Sequence, residues 1–387
     1  MKFIALILFL AGFLHVNAIE HSDSVPTSVV QDTLPKRPGL FTRILNYFGD
    51  ANKEKPEKKF DVNFIGGPFY SSDLKLGLGV VGAGLYRMNG CEKDMQPSNV
   101  SLSCSASIVG FYMIGVQGNN LFPGDRYRLN YTLSFYSFPS YFWGIGYNRG
   151  NNDANKTKID RIQANVKAEF MFKLGEDFYL GPTIVWDYAR AKDVNSDYVY
   201  LFDGMSMVQR NYGAGVSMQY DTRDFINNAS RGVYVYASQM FRPEWLGNDM
   251  PFSTTEFQLR GYKKVWRGGV LAGEIRGQFN FGNPSWAMMA ELGGSNSMRG
   301  YYEGRYRDKH SMSAQVELRQ HVWRRSGVTV WVGAGNVFHN SSTFKKVLPN
   351  YGIGYRWEFK KRVNVRLDLG FGKSGQMGFI FNINEAF

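Results

Sequence analysis

Two stretches of this 387-residue chain alternate so strictly that few folds can hold them. In RIQANVKAEFMF, Ile162, Ala164, Val166, Ala168, Phe170 and Phe172 oppose Gln163, Asn165, Lys167 and Glu169. In VNVRLDLGFG, Val363, Val365, Leu367, Leu369 and Phe371 oppose Arg366 and Asp368. Period two is the signature of a strand. An apolar face backed by a charged one fits a lipid-embedded barrel, because lipid cannot solvate a charge and a wet lumen can. The final run, GFIFNINEAF, repeats the pattern: Phe379, Phe381, Ile383 and Phe387 share one face, with Gly378, Asn382 and Asn384 on the other. Phe387 is expected to face lipid as a C-terminal signature.

The N-terminus supports the same location. Lys2, the apolar run FIALILFLAGFL and Val16-Asn17-Ala18 have the order of a secretory leader, with cleavage expected after Ala18. The run is short of the roughly 18 residues a spanning helix needs. Aromatics at 16%, with 43 Gly, suit interfacial belts and crowded, twisted strands. A formal charge of +12 suggests nucleic acid in a cytosolic protein, but an exported chain does not meet it. The excess Lys and Arg reads either as lumen lining with loop contacts to phosphorylated surface lipid, lipopolysaccharide included, or as a generally solvated basic surface.

The expected fold class is all-β: one transmembrane antiparallel barrel of about 16 strands behind a short periplasmic segment. Residues 1–18 form the signal peptide, 19–68 the periplasmic segment and 69–387 the barrel. Strands are expected at 74–87, 99–117, 125–139, 140–149, 157–173, 177–190, 206–221 and 232–242. They continue at 252–264, 269–281, 285–292, 309–324, 326–339, 349–360, 362–373 and 376–387. Within the lead segment, GLFTRILNYFGD places Leu40, Phe41, Ile44, Leu45 and Phe48 on one stripe, either an amphipathic helix or a loose tether. Cys91 and Cys104, alone in an oxidising compartment, are expected to form one disulfide across the first hairpin. Neither has a second ligand at metal spacing, so no metal is expected.

The motif with most information is ELGGSNSMRGYYEGRYRD, residues 291–308, a turn-rich loop between two strands. Read alone, it is an ordinary basic surface loop. Three further motifs follow the same order: YDTRDFINNASRG, QVELRQ, and VGAGNVF with RLDLGFG ahead of a terminal Phe. Together they resemble the BamA/TamA-type bacterial surface antigen family of outer-membrane assembly and secretion barrels. Arg299-Gly300-Tyr301 looks like that family's Arg-Gly-Phe/Tyr tip on an inward-folded sixth extracellular loop. Asp221, Thr222, Arg223, Asp224 and Gly232 resemble its Asp-Thr-Arg-Asp…Gly segment, and Glu317 with Arg319 its Glu-Leu-Arg strand. The resemblance implies that Arg299 enters the lumen and pairs with Glu317.

Two departures qualify it. Gly333 stands where the family's second wall acid belongs, so a single clamp is expected, with Glu291, Glu303 and Asp308 as open substitutes. The family's periplasmic polypeptide-binding repeats are missing, since about 40 residues cannot make one compact domain. A separate periplasmic partner protein is therefore expected to replace them.

Nothing suggests an enzyme. No G-x-S-x-G occurs, which excludes the lipase arrangement that some members carry. His15, His21, His310, His321 and His339 form no compact Ser/His/Asn constellation, so no catalytic residue and no cofactor are assigned. The acids of DTRD read as a salt-bridge pair, Asp221 with Arg223, rather than a metal site. Gly77, Gly79, Gly82 and Gly84 in the first expected strand either weaken the seam between the chain ends or merely permit curvature. Function is thus expected to be assembly or export of outer-membrane protein or lipid; the alternative is a passive channel or structural barrel.

Overall fold

A computed structural model describes residues 60–71, 74–91, 97–226, 228–360 and 362–387. The leader, His15, His21 and the stripe in GLFTRILNYFGD lie outside the described residues.

Sixteen antiparallel strands close into one barrel. They are β1 (Phe60–Ser71), β2 (Lys75–Tyr86), β3 (Ser98–Ser107), β4 (Tyr112–Leu121), β5 (Tyr127–Phe142), β6 (Thr157–Gly175), β7 (Phe178–Lys192) and β8 (Val208–Asp221). Then come β9 (Gly232–Arg242), β10 (Phe252–Trp266), β11 (Gly269–Gly282), β14 (His310–Trp323), β15 (Ser326–Phe338), β16 (Leu348–Lys360), β17 (Val363–Phe371) and β18 (Met377–Ile383). A separate two-stranded hairpin, β12 (Ala290–Leu292) with β13 (Tyr306–Asp308), sits inside the β11–β14 connection. Alternation decides which face each residue takes: on β14, Met312 and Val316 are exposed on the outside while Ser313, Gln315, Glu317 and Arg319 are buried inside.

The total of sixteen holds, although two expected strands are not in the wall and two others take their place. Residues 143–156 leave the wall as a loop containing a helical turn, Tyr147–Gly150, so 140–149 is not a strand. The 285–292 stretch contributes only β12, outside the barrel ladder. The expected strand 99–117 is two, β3 and β4, reversed at Ile108–Phe111. The barrel also begins before residue 69, with β1 running through Gly66-Gly67-Pro68. That triplet looks like a turn, but a proline is tolerated on a strand unpartnered on one side. Here β1 pairs along its full length with β2 and meets β18 only at Tyr70–Phe381 and Ser71–Ile380.

Connections at one end are long, including 143–156, 193–207 and 283–309. At the other end several are two residues: 176–177, 267–268 and 324–325. Long loops mark the extracellular end and short turns the periplasmic end. The extracellular mouth is roofed by apolar packing, where Phe142, Leu201, Phe202 and Trp286 are fully buried. Phe142 and Phe202 stack with ring centroids 4.5 Å apart.

The chain end does not face lipid as expected. After Ile383 the backbone turns at Asn384, φ 69°, and Phe387 packs inside with Ala229, Tyr262 and Ala272. Glu385 explains the bend. It shares the parity of Phe379 and Phe381, so a continued strand would push a carboxylate into lipid. Inside, Glu385 accepts from Arg356 Nε at 2.7 Å and from Asn364 Nδ2 at 2.7 Å. Phe387→Ala is expected to cost about 2–4 kcal/mol, because it empties a packed aromatic site; urea unfolding of the refolded barrel measures it.

The expected disulfide is absent: Cys91 and Cys104 are free thiols. Cys104 lies mid-strand on β3 opposite Val80 and Ile114, whereas Cys91 follows the end of β2. Six residues of strand separate Cys104 from Ser98, the partner of Tyr86, which is about 20 Å of rise. No disulfide spans that distance.

Candidate functional site: an arginine held in the lumen

The 27-residue connection between β11 and β14 folds inward. Its stalk is the β12–β13 hairpin, in which Glu291 sits opposite Arg307. Glu291 forms an ion pair with Arg307, whose Nη1 lies 2.9 Å away, and accepts from Arg161 Nη1 of the wall at 3.1 Å, tying the stalk to β6. Beside it lies a polar lumen cavity of about 450 Å³, whose lining includes Arg161, Asp187, Arg242, Glu256 and Arg276. Both signs are present, as a water-filled interior requires.

At the tip, Arg299 is fully buried and meets two acids. Its Nη2 lies 2.5 Å from Glu317 Oε2 on β14, and its Nη1 lies 2.8 Å from Asp368 Oδ2 on β17. The guanidinium also stacks 3.6 Å from the ring centroid of Trp331 on β15. The clamp is therefore double, which corrects the single clamp expected from Gly333. Gly333 does not matter to it: the second carboxylate comes from β17, while Glu291 pairs with Arg307 and Asp308 with His339. Asp368 was legible as an inward acid in RLDLGFG, but nothing in the sequence aligned β17 with the loop tip.

Around this pair runs a network of four arginines and three acids. Arg319 Nε donates to Glu317 at 2.7 Å. Arg356 donates to Asp368 at 2.6 Å and to Glu385 at 2.7 Å, so one guanidinium joins the loop clamp to the chain end. Arg319 Nη2 also donates to the Phe387 carbonyl at 2.8 Å. Arg366 Nη2 donates to Asn296 Oδ1 at 3.2 Å. Charge-assisted bonds such as these are short and directional.

The rest of the tip fixes the arginine in place. Gly300 lies against the backbone of Gly370 and Phe371, and Gly378 of β18 approaches it as well. Tyr301 Oη donates to the Pro349 carbonyl at 2.6 Å and accepts from the Lys373 amide at 2.7 Å. Asn350 Nδ2 donates to the Arg299 carbonyl, and Trp331 Nε1 donates to Asn350 Oδ1 at 3.0 Å. Arg-Gly-Tyr thus docks on β14 to β18, the C-terminal side of the seam.

The DTRD segment lies at the opposite, periplasmic end. Arg223 grips Asp221 with two bonds, Nε at 2.8 Å and Nη2 at 2.7 Å. Asp224 accepts from Ser230 N at 2.8 Å, Ser230 Oγ at 2.6 Å and Arg362 Nη1 at 2.7 Å, stapling the β8–β9 turn to the β16–β17 turn. A Cβ on Gly232 would strike the Thr222 carbonyl, which closes the turn. Burial raises the Asp224 pKa, but the Ser230 and Arg362 bonds outweigh it and hold the carboxyl far below its usual value. Its contribution to stability is therefore complete above the unfolded carboxylate pKa of about 4 and is lost as pH falls further. Asp224→Asn is expected to flatten that acid limb in pH-dependent unfolding.

The three described histidines are scattered. His310 packs among Phe279, Phe281 and Phe338, His321 Nε2 meets the Arg324 carbonyl at 2.6 Å, and His339 lies 3.6 Å from Asp308.

Comparison with known proteins agrees with this architecture. Residues 118–387 match the model of the Omp85 superfamily domain. No curated protein sequence matches significantly. Among solved structures, the chain is similar to BamA from Haemophilus ducreyi lacking POTRA domains 1–3, at 12% identity and a TM-score of 0.58, covering 84% of this chain and 70% of that one. It is also similar to CdiB from Acinetobacter baumannii, at 11% identity and TM-score 0.54, covering 85% and 60%. CdiB from Escherichia coli gives 11% and 0.58, covering 86% and 63%. The chain thus spans about two thirds or less of these CdiB proteins, and at such identities the likeness speaks for the fold. With 270 residues matched to the family and a closed sixteen-stranded wall, the chain is an outer-membrane β-barrel of the Omp85 superfamily.

Proposed function

We propose that this barrel assists the assembly or export of outer-membrane protein or lipid, using the β1–β18 seam as its working edge. The observation that carries the reading is the seam's pairing. Two residue pairs join β1 to β18, against twelve joining β1 to β2. Along most of its length β1 thus has no wall strand on its β18 side among the described residues, an edge on which an incoming strand can add. The double clamp on Arg299 serves the same end of the barrel. It pins the sixth loop against β14 to β18 and so sets the wall beside the seam.

On this reading residues 1–18 are the export leader. Residues 19–59 form the periplasmic lead-in, shortened because β1 starts at Phe60. Client capture falls to a separate periplasmic protein. Outer-leaflet loops meet lipopolysaccharide. The role is non-enzymatic.

The test locks the seam. Tyr70→Cys with Phe381→Cys places two thiols at facing positions, in a Cys91→Ser/Cys104→Ser background. Oxidised cells are expected to lose envelope integrity and outer-membrane protein content, with recovery on reduction. Unchanged growth and envelope composition under oxidation would support the alternative, a passive or structural barrel. Against a passive channel stands the filled lumen, with loop tip and chain end both inside and the outer mouth roofed. Planar-bilayer conductance is accordingly expected to be low for the native chain and to rise severalfold for Arg299→Ala.

A further inference from the structure

We propose that the periplasmic rim of β10, β11, β14, β15 and β16 is a binding surface for anionic phospholipid headgroups of the inner leaflet. The hairpins β10–β11 and β14–β15 and the end of β16 are neighbours in the wall, because β11 pairs with β14 and β15 with β16. Each presents a tryptophan at its periplasmic end: Trp266, Trp323 and Trp357, exposed by 54%, 62% and 40%.

Register places all three on the outward face. Trp323 lies opposite Ser326, and Ser326 opposite Trp357, while the inward parity of β16 belongs to buried Arg356. Trp266 Nε1 donates at 2.6 Å to Gln320, whose partner Val328 is an exposed wall residue. Three neighbouring indoles at the periplasmic ends of their strands mark the headgroup level.

Immediately beyond them stand cations. Arg267 follows Trp266, Arg324 and Arg325 follow Trp323, and Lys263 precedes Trp266 on the outward face. All four are exposed, and none forms an ion pair with a described carboxylate. The lumen arginines of the clamp network, by contrast, each have an acid within 4 Å. Lys263 pairs in the ladder with Leu271, an exposed wall residue, so its stem lies on apolar surface while its ammonium reaches toward the phosphate level. Arg324 lies 4.5 Å from the Trp323 ring centroid, which leaves its N–H edge free for an anion.

Gathering four cations without a described carboxylate partner on one arc costs mutual repulsion. The β6–β7 turn, by comparison, carries Glu176 and Asp177. An anionic surface at the indole level offsets the repulsion. An acidic protein is less suited, because the cations adjoin an outward, membrane-facing belt rather than the lumen mouth.

The full chain, reconstituted with brominated phosphatidylglycerol or brominated phosphatidylcholine, reports headgroup preference through tryptophan quenching. Native mass spectrometry after detergent extraction counts the lipid retained. The native chain is expected to retain phosphatidylglycerol over phosphatidylcholine by roughly a hundredfold, since each of the three rim arginines is worth about fivefold. The variant R267Q/R324Q/R325Q is expected to fall to parity while keeping the heat-modifiable migration of a folded barrel. If it does not fold, the single variants R267Q and R325Q carry the test, each losing a few fold. The control K158Q/K192Q, at the extracellular rim, is expected to keep the preference. Equal retention of the two lipids by the native chain would overturn the proposal, as would a control loss equal to that of the rim variant. So would unchanged selectivity in the rim variant together with loss of an acidic periplasmic protein.

Discussion

Replacing Arg299 with alanine is expected to destabilise the barrel by about 3–5 kcal/mol, because it strands two buried carboxylates at once. Glu317 and Asp368 are both fully buried, and each is within 2.8 Å of that one guanidinium. Arg319 and Arg356 would remain beside the acids, which keeps the loss at this level rather than beyond it. Urea unfolding measures the cost, and limited proteolysis reports release of the loop through new cleavage between Gly293 and Gly304. Arg299→Lys should recover only part, since a point charge cannot reach two acids on different strands and stack on Trp331 as well. Exchanging the charges, Arg299→Glu with Glu317→Arg, is expected to give no rescue. The new glutamate would face Asp368, and the new arginine would join Arg319 and Arg356. Full rescue by that exchange would show that Asp368 does not take part.

The second large effect is expected from Gly300→Ala, a change that leaves every charge in place. Gly300 has φ 121°, a conformation that side chains rarely adopt, and an added Cβ would lie 2.8 Å from the Gly370 carbonyl carbon and the Phe371 amide nitrogen. Strain and overpacking together should cost about 2–5 kcal/mol. The mechanism predicts more than a number. If alanine lifts the tip off the wall, Arg299 leaves its acids, so G300A and R299A share one effect. The double variant should then be little worse than R299A alone, a strong departure from additivity. Gly375 provides the comparison: its φ is 76°, but a Cβ there meets nothing within 4 Å. Gly375→Ala should cost about 1 kcal/mol from backbone strain alone and should add normally to R299A.

Much of the fold was readable from single strands. Lys167 and Glu169 alternate against Val166 and Ala168, and this assigns faces without any knowledge of neighbours. Errors arose where a local signal had a non-local cause. The barrel was expected from residue 69, yet Gly66-Gly67-Pro68 already lies in β1, paired with β2 and away from the two pairs that reach β18. Phe387 has the parity of lipid-facing residues, yet Glu385, two places before it, needs the cations of β16 and β14 and draws the chain inside. Cys91 and Cys104 are close in sequence, but a strand keeps its residues extended and holds the thiols apart.

The candidate site divides the same way. Arg299, Glu317 and the Arg-Gly-Tyr tip stand out in the chain because their types and order are unusual for a surface loop. Asp368 does not, since in sequence it is one inward acid among several.

Local chemistry alone settled that the strands alternate, that they need lipid outside and water inside, and that one glycine-flanked arginine lies in a loop. Those properties depend on neighbours one or two residues away, so a linear reading reaches them. Which acids receive that arginine, how few pairs close the seam and where the last four residues go depend on register across strands far apart in the chain. That register emerges only when the wall closes, because closure sets every inward side chain opposite its partner.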